Sequence, residues 1–191
     1  MRHGYVRGAS YYYLAKNLAH KDNSNIEIRP FAQVDIPTIV TNFANADWPK
    51  PISTFQTYWQ EQAEGVRQVW IAHLGQQFAG YVTLSWKSNY KSFYDQGIPE
   101  IMDLNVLPSF RKHGVGSRLL DTAEAMAVTK TNRVGLGVGL YPGYSSAQRV
   151  YVQHGYIPDG RGITYNYQSI TPSNNVPLDD DLVLWFIKQL S

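Results

Sequence analysis

The chain has 191 residues, 43% of them hydrophobic, 17% charged and 14% aromatic, and carries a formal net charge of +2. That length holds one domain with a sizeable core and little room for a second, and so small and scattered a charge argues against a nucleic-acid footprint or a polybasic membrane anchor. With no cysteine there is no disulfide framework, thiolate nucleophile or zinc–thiolate site, and His3, His20, His73, His113 and His154 never fall at ligand-pair spacing, so no metal is expected.

Residues 1–25 read as a polar N-terminal extension carrying Tyr11-Tyr12-Tyr13. Its longest apolar run is broken by Lys16 and Asn17, so neither a secretory signal nor a membrane span is expected and the location is taken as cytoplasmic. Residues 26–191 then read as the domain. Ile26-Glu27-Ile28 alternates as a first strand, and Ile36, Ile39, Val40 and Phe43 follow at helical spacing behind Asp35 as cap candidate and Pro37 in the first turn. Ser53 and Gln56 form a capping-box pair for a second helix over roughly residues 54–63.

Residues 66–73 and 78–86 are β-rich runs joined by Leu74-Gly75-Gln76-Gln77, which predicts an antiparallel hairpin. A fourth strand, Glu100 to Leu107, feeds a glycine turn, and a helix from Gly114 to about Lys130 places Val115, Leu119, Ala123, Met126 and Ala127 on one face. Residues 134–140 predict strand five. Residues 145–154 predict a helix with Ser145 and Gln148 as its capping pair and Gly155 at its end, and Leu182 to Leu190 a last, strongly apolar strand. That strand belongs either inside the monomer or in part at a dimer seam, so a monomer or homodimer is expected.

The richest stretch runs from Asp103 to Leu120. A strand stops at Pro108, Gly114 and Gly116 follow, and a helical stripe begins at once, which leaves a row of backbone N–H groups at a helix N-terminus. A strand-to-helix turn needs glycine for its backbone alone. Arg111-x-x-Gly114-x-Gly116 after a Val106-x-Pro108 strand end carries more, and resembles the acyl-CoA pyrophosphate loop of the GCN5-related N-acetyltransferase (GNAT) superfamily. Ala147-x-x-x-Tyr151-x-x-x-Gly155-Tyr156 resembles the second signature of that superfamily, although Tyr144 stands where its members often have Asn.

The resemblance implies a mixed α/β fold: a central, mostly antiparallel sheet of about six or seven strands flanked by about four helices, splayed between strands four and five. It implies acetyl-CoA as cosubstrate and no metal. The N–H groups of Lys112, His113, Gly114, Val115, Gly116 and Ser117 would hold the pyrophosphate, with Arg111 and Lys112 adding charge. Backbone groups of Leu104, Asn105 and Val106 would pair with the pantetheine arm, and Ser146 would contribute from the second motif. Tyr151 would lie beside the CoA sulfur. Glu100 matches a position where relatives place a carboxylate that handles the amine proton, with Asp103 the alternative; a glutamate at a strand start is otherwise a solvated edge charge.

Such a base has a defined task. An alkylamine is protonated at neutral pH at a cost of about 4 to 5 kcal/mol to the nucleophile. Tyr151, a phenol facing a more acidic thiol, suits hydrogen-bond donation to the sulfur better than complete proton transfer. The expected activity is acetyl transfer to a primary amine of a small molecule by direct attack in a ternary complex. The alternatives are a peptide or protein acceptor, or a non-catalytic acyl-CoA-sensing module.

Two further stretches are weighed. Gly135-Leu136-Gly137-Val138-Gly139 lacks the strand-turn-helix context of a dinucleotide loop, and its alternating glycines make room for an acyl chain or for packing. Asp179-Asp180-Asp181 reads as a solvated turn or as an attractor of a cationic acceptor. Trp48, Tyr58, Trp59, Trp86, Tyr90, Phe93 and Tyr94 are candidates for an aromatic acceptor wall.

Overall fold

A computed structural model describes residues 25–191. The expected extension therefore lies, apart from Asn25, outside the described residues. The elements are β1 (Ile26–Pro30), α1 (Ile36–Asn45), α2 (Ile52–Ala63), β2 (Arg67–Leu74), β3 (Gln77–Ser85), α3 (Lys91–Gln96), β4 (Glu100–Val106), α4 (Val115–Ala127), β5 (Arg133–Gly139), α5 (Ser145–Gln153), β6 (Ile157–Tyr165), β7 (Gln168–Ser169) and β8 (Leu182–Gln189). They build one sheet in the order β1-β2-β3-β4-β5-β8-β6-β7.

Neighbouring strands are antiparallel except β4 and β5, which run parallel and pair only at Glu100↔Gly135 and Ile101↔Leu136. Beyond Ile101 the two strands part. The splay that the resemblance implies is therefore present at the expected place.

The period-2 alternation of β2 sends its side chains to two different cores. Val69 and Ile71 join Phe43, Phe55 and Tyr81 beneath α1 and α2. Trp70 and Ala72 join Leu84, Ile101 and the Leu119–Ala127 stripe of α4. Both faces are thus covered, which is why β3 is buried along almost its whole length. A third cluster, Tyr90, Phe93, Ile98 and Trp185, closes the sheet beside α3. β8 lies between β5 and β6, so its apolar run is an inner strand of the monomer.

Local departures from the sequence reading have identifiable causes. α3, the range of β6 and the short β7 are not anticipated; α3 is six residues long, too short for its periodicity to stand out, β6 is mostly exposed and interrupted by left-handed Gly160 and Gly162, and β7 pairs over two residues only. Asp35 does not cap α1: it is buried, receives two hydrogen bonds from Arg29 at 2.6 and 2.8 Å, and accepts from the Ala32 N–H at 2.8 Å. Ser53 and Gln56 form no capping box, because extended Pro51 starts α2 at Ile52 and puts Ser53 inside the helix. Ser145 and Gln148 turn back instead, the hydroxyl donating to Pro142 O and the amide to Gly139 O. Gly155 ends α5 as expected: its φ is +84°, and the Tyr156 N–H reaches Tyr151 O, the reverse turn that left-handed glycine permits.

Candidate active site

The parted strands open a cleft of about 1020 Å³ that passes from the glycine turn to the loop before β8. Its floor is the β4 edge from Met102 to Val106, which has no ladder partner on the β5 side. At its mouth lies the turn before α4. Lys112 and Gly114 both have left-handed backbone, φ +64° and +86°, and this pair of reversals feeds the chain directly into the helix.

The first hydrogen bond of α4 runs from the Arg118 N–H to Gly114 O. The N–H groups from Lys112 to Ser117 have no acceptor among the described residues. Successive free amides at a helix N-terminus form an anion cradle without any charged side chain. Gly116 adds a second sign: a Cβ there would meet only Val106 Cγ2, at 3.7 Å, so nothing in the protein itself requires glycine. Arg111 stands beside the turn, its Nε donating to Val106 O at 3.2 Å and its guanidinium 5.8 Å from the Trp48 ring. Lys112, Gly114, Gly116, Ser117 and Ser146 also line the cleft. The His113 side chain is exposed and that of Val115 is buried in the core, so only their N–H groups belong to the turn.

Glu100 and Tyr151 meet the same cleft from opposite faces of the sheet. Glu100 is 4% exposed, and its Oε2 accepts a 2.5 Å hydrogen bond from the Ser88 hydroxyl. Burial pushes its carboxyl up to about 7, against the pull of Ser88 and Arg67. It is therefore no solvated edge charge. Tyr151, 7% exposed on α5, packs edge-on to Tyr156 with ring centroids 6.1 Å apart, and its hydroxyl has no partner among the described residues. Burial, and then the charge of Asp103, raise its pKa well above that of an ordinary phenol.

The aromatic wall differs from the expected one. Of the seven candidates only Trp48 lines the cleft. Tyr90 and Phe93 are buried beneath Trp185, Trp59 packs on Phe31, Trp86 lies under Lys130 and Tyr94 is exposed. Tyr58 reaches the site through its hydroxyl, which donates to Asp103 Oδ2. The wall is formed instead by Trp185, Tyr167, Tyr141 and Tyr144. The β5 glycines make that possible: a Cβ at Gly137 would fall 3.1 Å from Trp185, and one at Gly139 would fall 2.4 Å from Tyr144.

Asp180 is also drawn in, accepting from the Tyr141 and Tyr144 hydroxyls at 2.5 and 3.0 Å, and Asp181 lines the cleft beside it. Sequence reasoning missed Ser88, Lys50, Tyr167 and Trp185. Lys50 lies half-buried with Nζ 4.4 Å from the Trp48 ring centre. Burial lowers its pKa, while Asp103 and Asp180 oppose the shift.

A sheet parted at its parallel pair, with free amides at the mouth of the gap, is the architecture that the resemblance to the acetyltransferases implies. Residues 36–156 match the model of the acetyltransferase (GNAT) family, and the chain belongs to that family. It is an N-acetyltransferase by class. A search of curated proteins finds no match.

Solved structures share the fold at low identity. YncA from Salmonella typhimurium with its cofactor acetyl-CoA is 16% identical, with a TM-score of 0.64 over 87% of this chain and 95% of that one. The Salmonella typhimurium acetyl transferase that modifies the N-terminal serine of ribosomal protein L7/L12 is 11% identical, with a TM-score of 0.66 over 88% and 97%. Spermidine N-acetyltransferase from Vibrio cholerae in complex with CoA and spermine is 14% identical, with a TM-score of 0.61 over 87% and 96%.

Proposed function

We propose that the protein transfers the acetyl group of acetyl-CoA to a primary amine of a small molecule by direct attack within a ternary complex. The reading rests on the coincidence, in one cleft, of the unpaired β4 edge with the free N–H run from Lys112 to Ser117. Those amides would hold the diphosphate, with charge from Arg111 and Lys112. The backbone of Leu104, Asn105 and Val106 would pair with the pantetheine arm, and Ser146 would meet it from the opposite wall. The space left at Gly116 fits the close approach of a phosphate. Acetyl-CoA in the YncA structure, and CoA with spermine in the Vibrio cholerae enzyme, support the cosubstrate and a small amine acceptor on this fold. The enzyme is read as cytoplasmic, monomeric or homodimeric, with residues 26–191 as its transferase domain.

Each side chain then has a role set by its surroundings. Glu100, titrating near neutrality, accepts the proton that the ammonium must lose before it attacks. Tyr151 keeps its proton and donates a hydrogen bond to the departing sulfur, because its raised pKa makes complete transfer to a thiolate still more uphill than for a free phenol. An amide on the β4 edge stabilises the negative charge that develops on the carbonyl oxygen.

Calorimetric titration of acetyl-CoA and its desulfo analogue into wild type and Gly114→Trp tests the cosubstrate. Both ligands should bind wild type, and the variant should bind neither, since an indole placed at the turn blocks the amides. Equal binding by the two proteins, or none by wild type, overturns the reading.

A further inference from the structure

Given the transferase reading above, the acceptor reaches the thioester from the face of β4 that carries Glu100, and one irregularity in that strand decides what meets its ammonium. Asp103 has φ +50°, a left-handed conformation uncommon outside glycine and one that Asp tolerates better than most side chains. It lies in a β-bulge: Met102 pairs with Thr83 and Asn105 with Tyr81, so Val82 alone stands opposite both Asp103 and Leu104. In an uninterrupted strand residue 103 would share the face of Ile101, which is buried against α4. The extra residue brings its carboxylate to the other face, within reach of α2.

There the Tyr58 hydroxyl donates to Asp103 Oδ2, and Oδ1 has no partner among the described residues. Tyr58 is itself buried and held: the Arg67 guanidinium lies 4.7 Å from its ring centre and is tied to Glu61 Oε2 at 2.5 Å and Thr83 Oγ1 at 2.8 Å. Arg67 is thus already committed to Glu61, and no ion pair among the described residues includes Asp103. A carboxylate turned outward by a bulge, fixed through one oxygen, lining the cleft and in no ion pair, with half-buried Lys50 acting on it only through space, is a receptor for a further cation.

We propose that Asp103 anchors the ammonium of the incoming acceptor and that Tyr58 is the positioning residue that keeps its carboxylate aimed at the cleft. The two carboxylates then divide the work. Exposed Asp103 holds the charged amine in place, and buried Glu100 takes its proton.

Steady-state kinetics with 1,4-diaminobutane, tryptamine and the peptide amide Ser-Ala-Ala as acceptors test this. Tyr58→Phe should raise the KM of the best acceptor about tenfold, leaving kcat within about twofold and the KM of acetyl-CoA unchanged. Asp103→Asn should do the same, and the double variant should be no worse than Asp103→Asn alone, since one interaction is being removed twice. Asp103→Gly should lose the same affinity without a lower melting temperature, because glycine adopts φ +50° freely. An unchanged amine KM in Tyr58→Phe, an equal rise in the acetyl-CoA KM, or additive effects in the double variant would overturn the inference while wild-type turnover upholds the transferase reading. Wild-type protein inert toward all three acceptors removes both.

Discussion

Glu100 carries a tension between folding and chemistry. Its carboxyl, pushed by burial to about 7, would be far happier in water, where its ordinary value is 4.5. Because the folded value lies above the unfolded one, the native state holds a proton that the unfolded chain has already released, and stability falls as pH rises from about 4.5 to about 7. Glu100→Gln removes the penalty while keeping a partner for Ser88. Thermal melts should therefore find the variant more stable than wild type at pH 8 and nearly equal to it at pH 4. Catalysis should move the other way, with kcat/KM of wild type rising through a limb near pH 7 and Glu100→Gln losing that limb together with about 10²-fold in kcat. A variant that melts lower at pH 8, or that keeps the limb, would remove Glu100 from the proton path.

At the scale of elements, the N-terminus of α4 gives up backbone satisfaction for a cradle. Helices ordinarily cap their first amides with a Ser, Thr, Asp or Asn side chain, whereas this one begins at left-handed Gly114 with no side-chain cap. Gly116 in the first turn is equally poor for the helix. Gly116→Ala should raise stability by up to about 1 kcal/mol by helix propensity, since the added methyl meets only Val106 Cγ2 at 3.7 Å. The same methyl would stand where a phosphate must approach, so acetyl-CoA should bind about tenfold more weakly in calorimetry. A variant both more stable and equally tight would show that the glycine serves the turn alone. Opposite this turn, the Tyr144 ring occupies the space that Gly139 leaves open.

For the whole molecule, the widest break in the sheet among the described residues is the gap that begins after Ile101 and Leu136, the β6–β8 pairing being interrupted only by the irregularity between Pro158 and Ile163. Every other strand is closed by an antiparallel neighbour, and cores on both faces hold the two halves together. Hydrogen exchange should therefore be uneven in a specific way. Amides of residues 102–106 that face the gap, and those of 112–117, should exchange fast in the free protein and slow at least about tenfold with saturating acetyl-CoA, while those of β3 stay protected in both states. Uniform slowing over the whole sheet would point to global stabilisation in place of backbone pairing in the gap.

The sequence by itself determined the strand-turn-helix run, the glycine pattern, the Tyr151 motif and through them the family, because turn chemistry and helical or alternating periodicity are local. Residues 103 to 120 are close neighbours along the chain, so spacing alone could place their backbone. Only the tertiary structure decided that Glu100 is buried beside Ser88, that Asp103 is turned outward to Tyr58, and that Trp185, Tyr167 and Asp180 build the wall. Those contacts join Glu100 to Ser88, 12 positions away, Asp103 to Tyr58, 45 away, and Asp180 to Tyr141 and Tyr144, 39 and 36 away. The bulge that moves Asp103 to the acceptor face left no mark in the alternation of β4, since one extra residue is visible only against the strand it pairs with. Three-dimensional packing also reassigned the early aromatic residues, most of which serve the cores, because an aromatic side chain looks the same in sequence whether it is wall or filling.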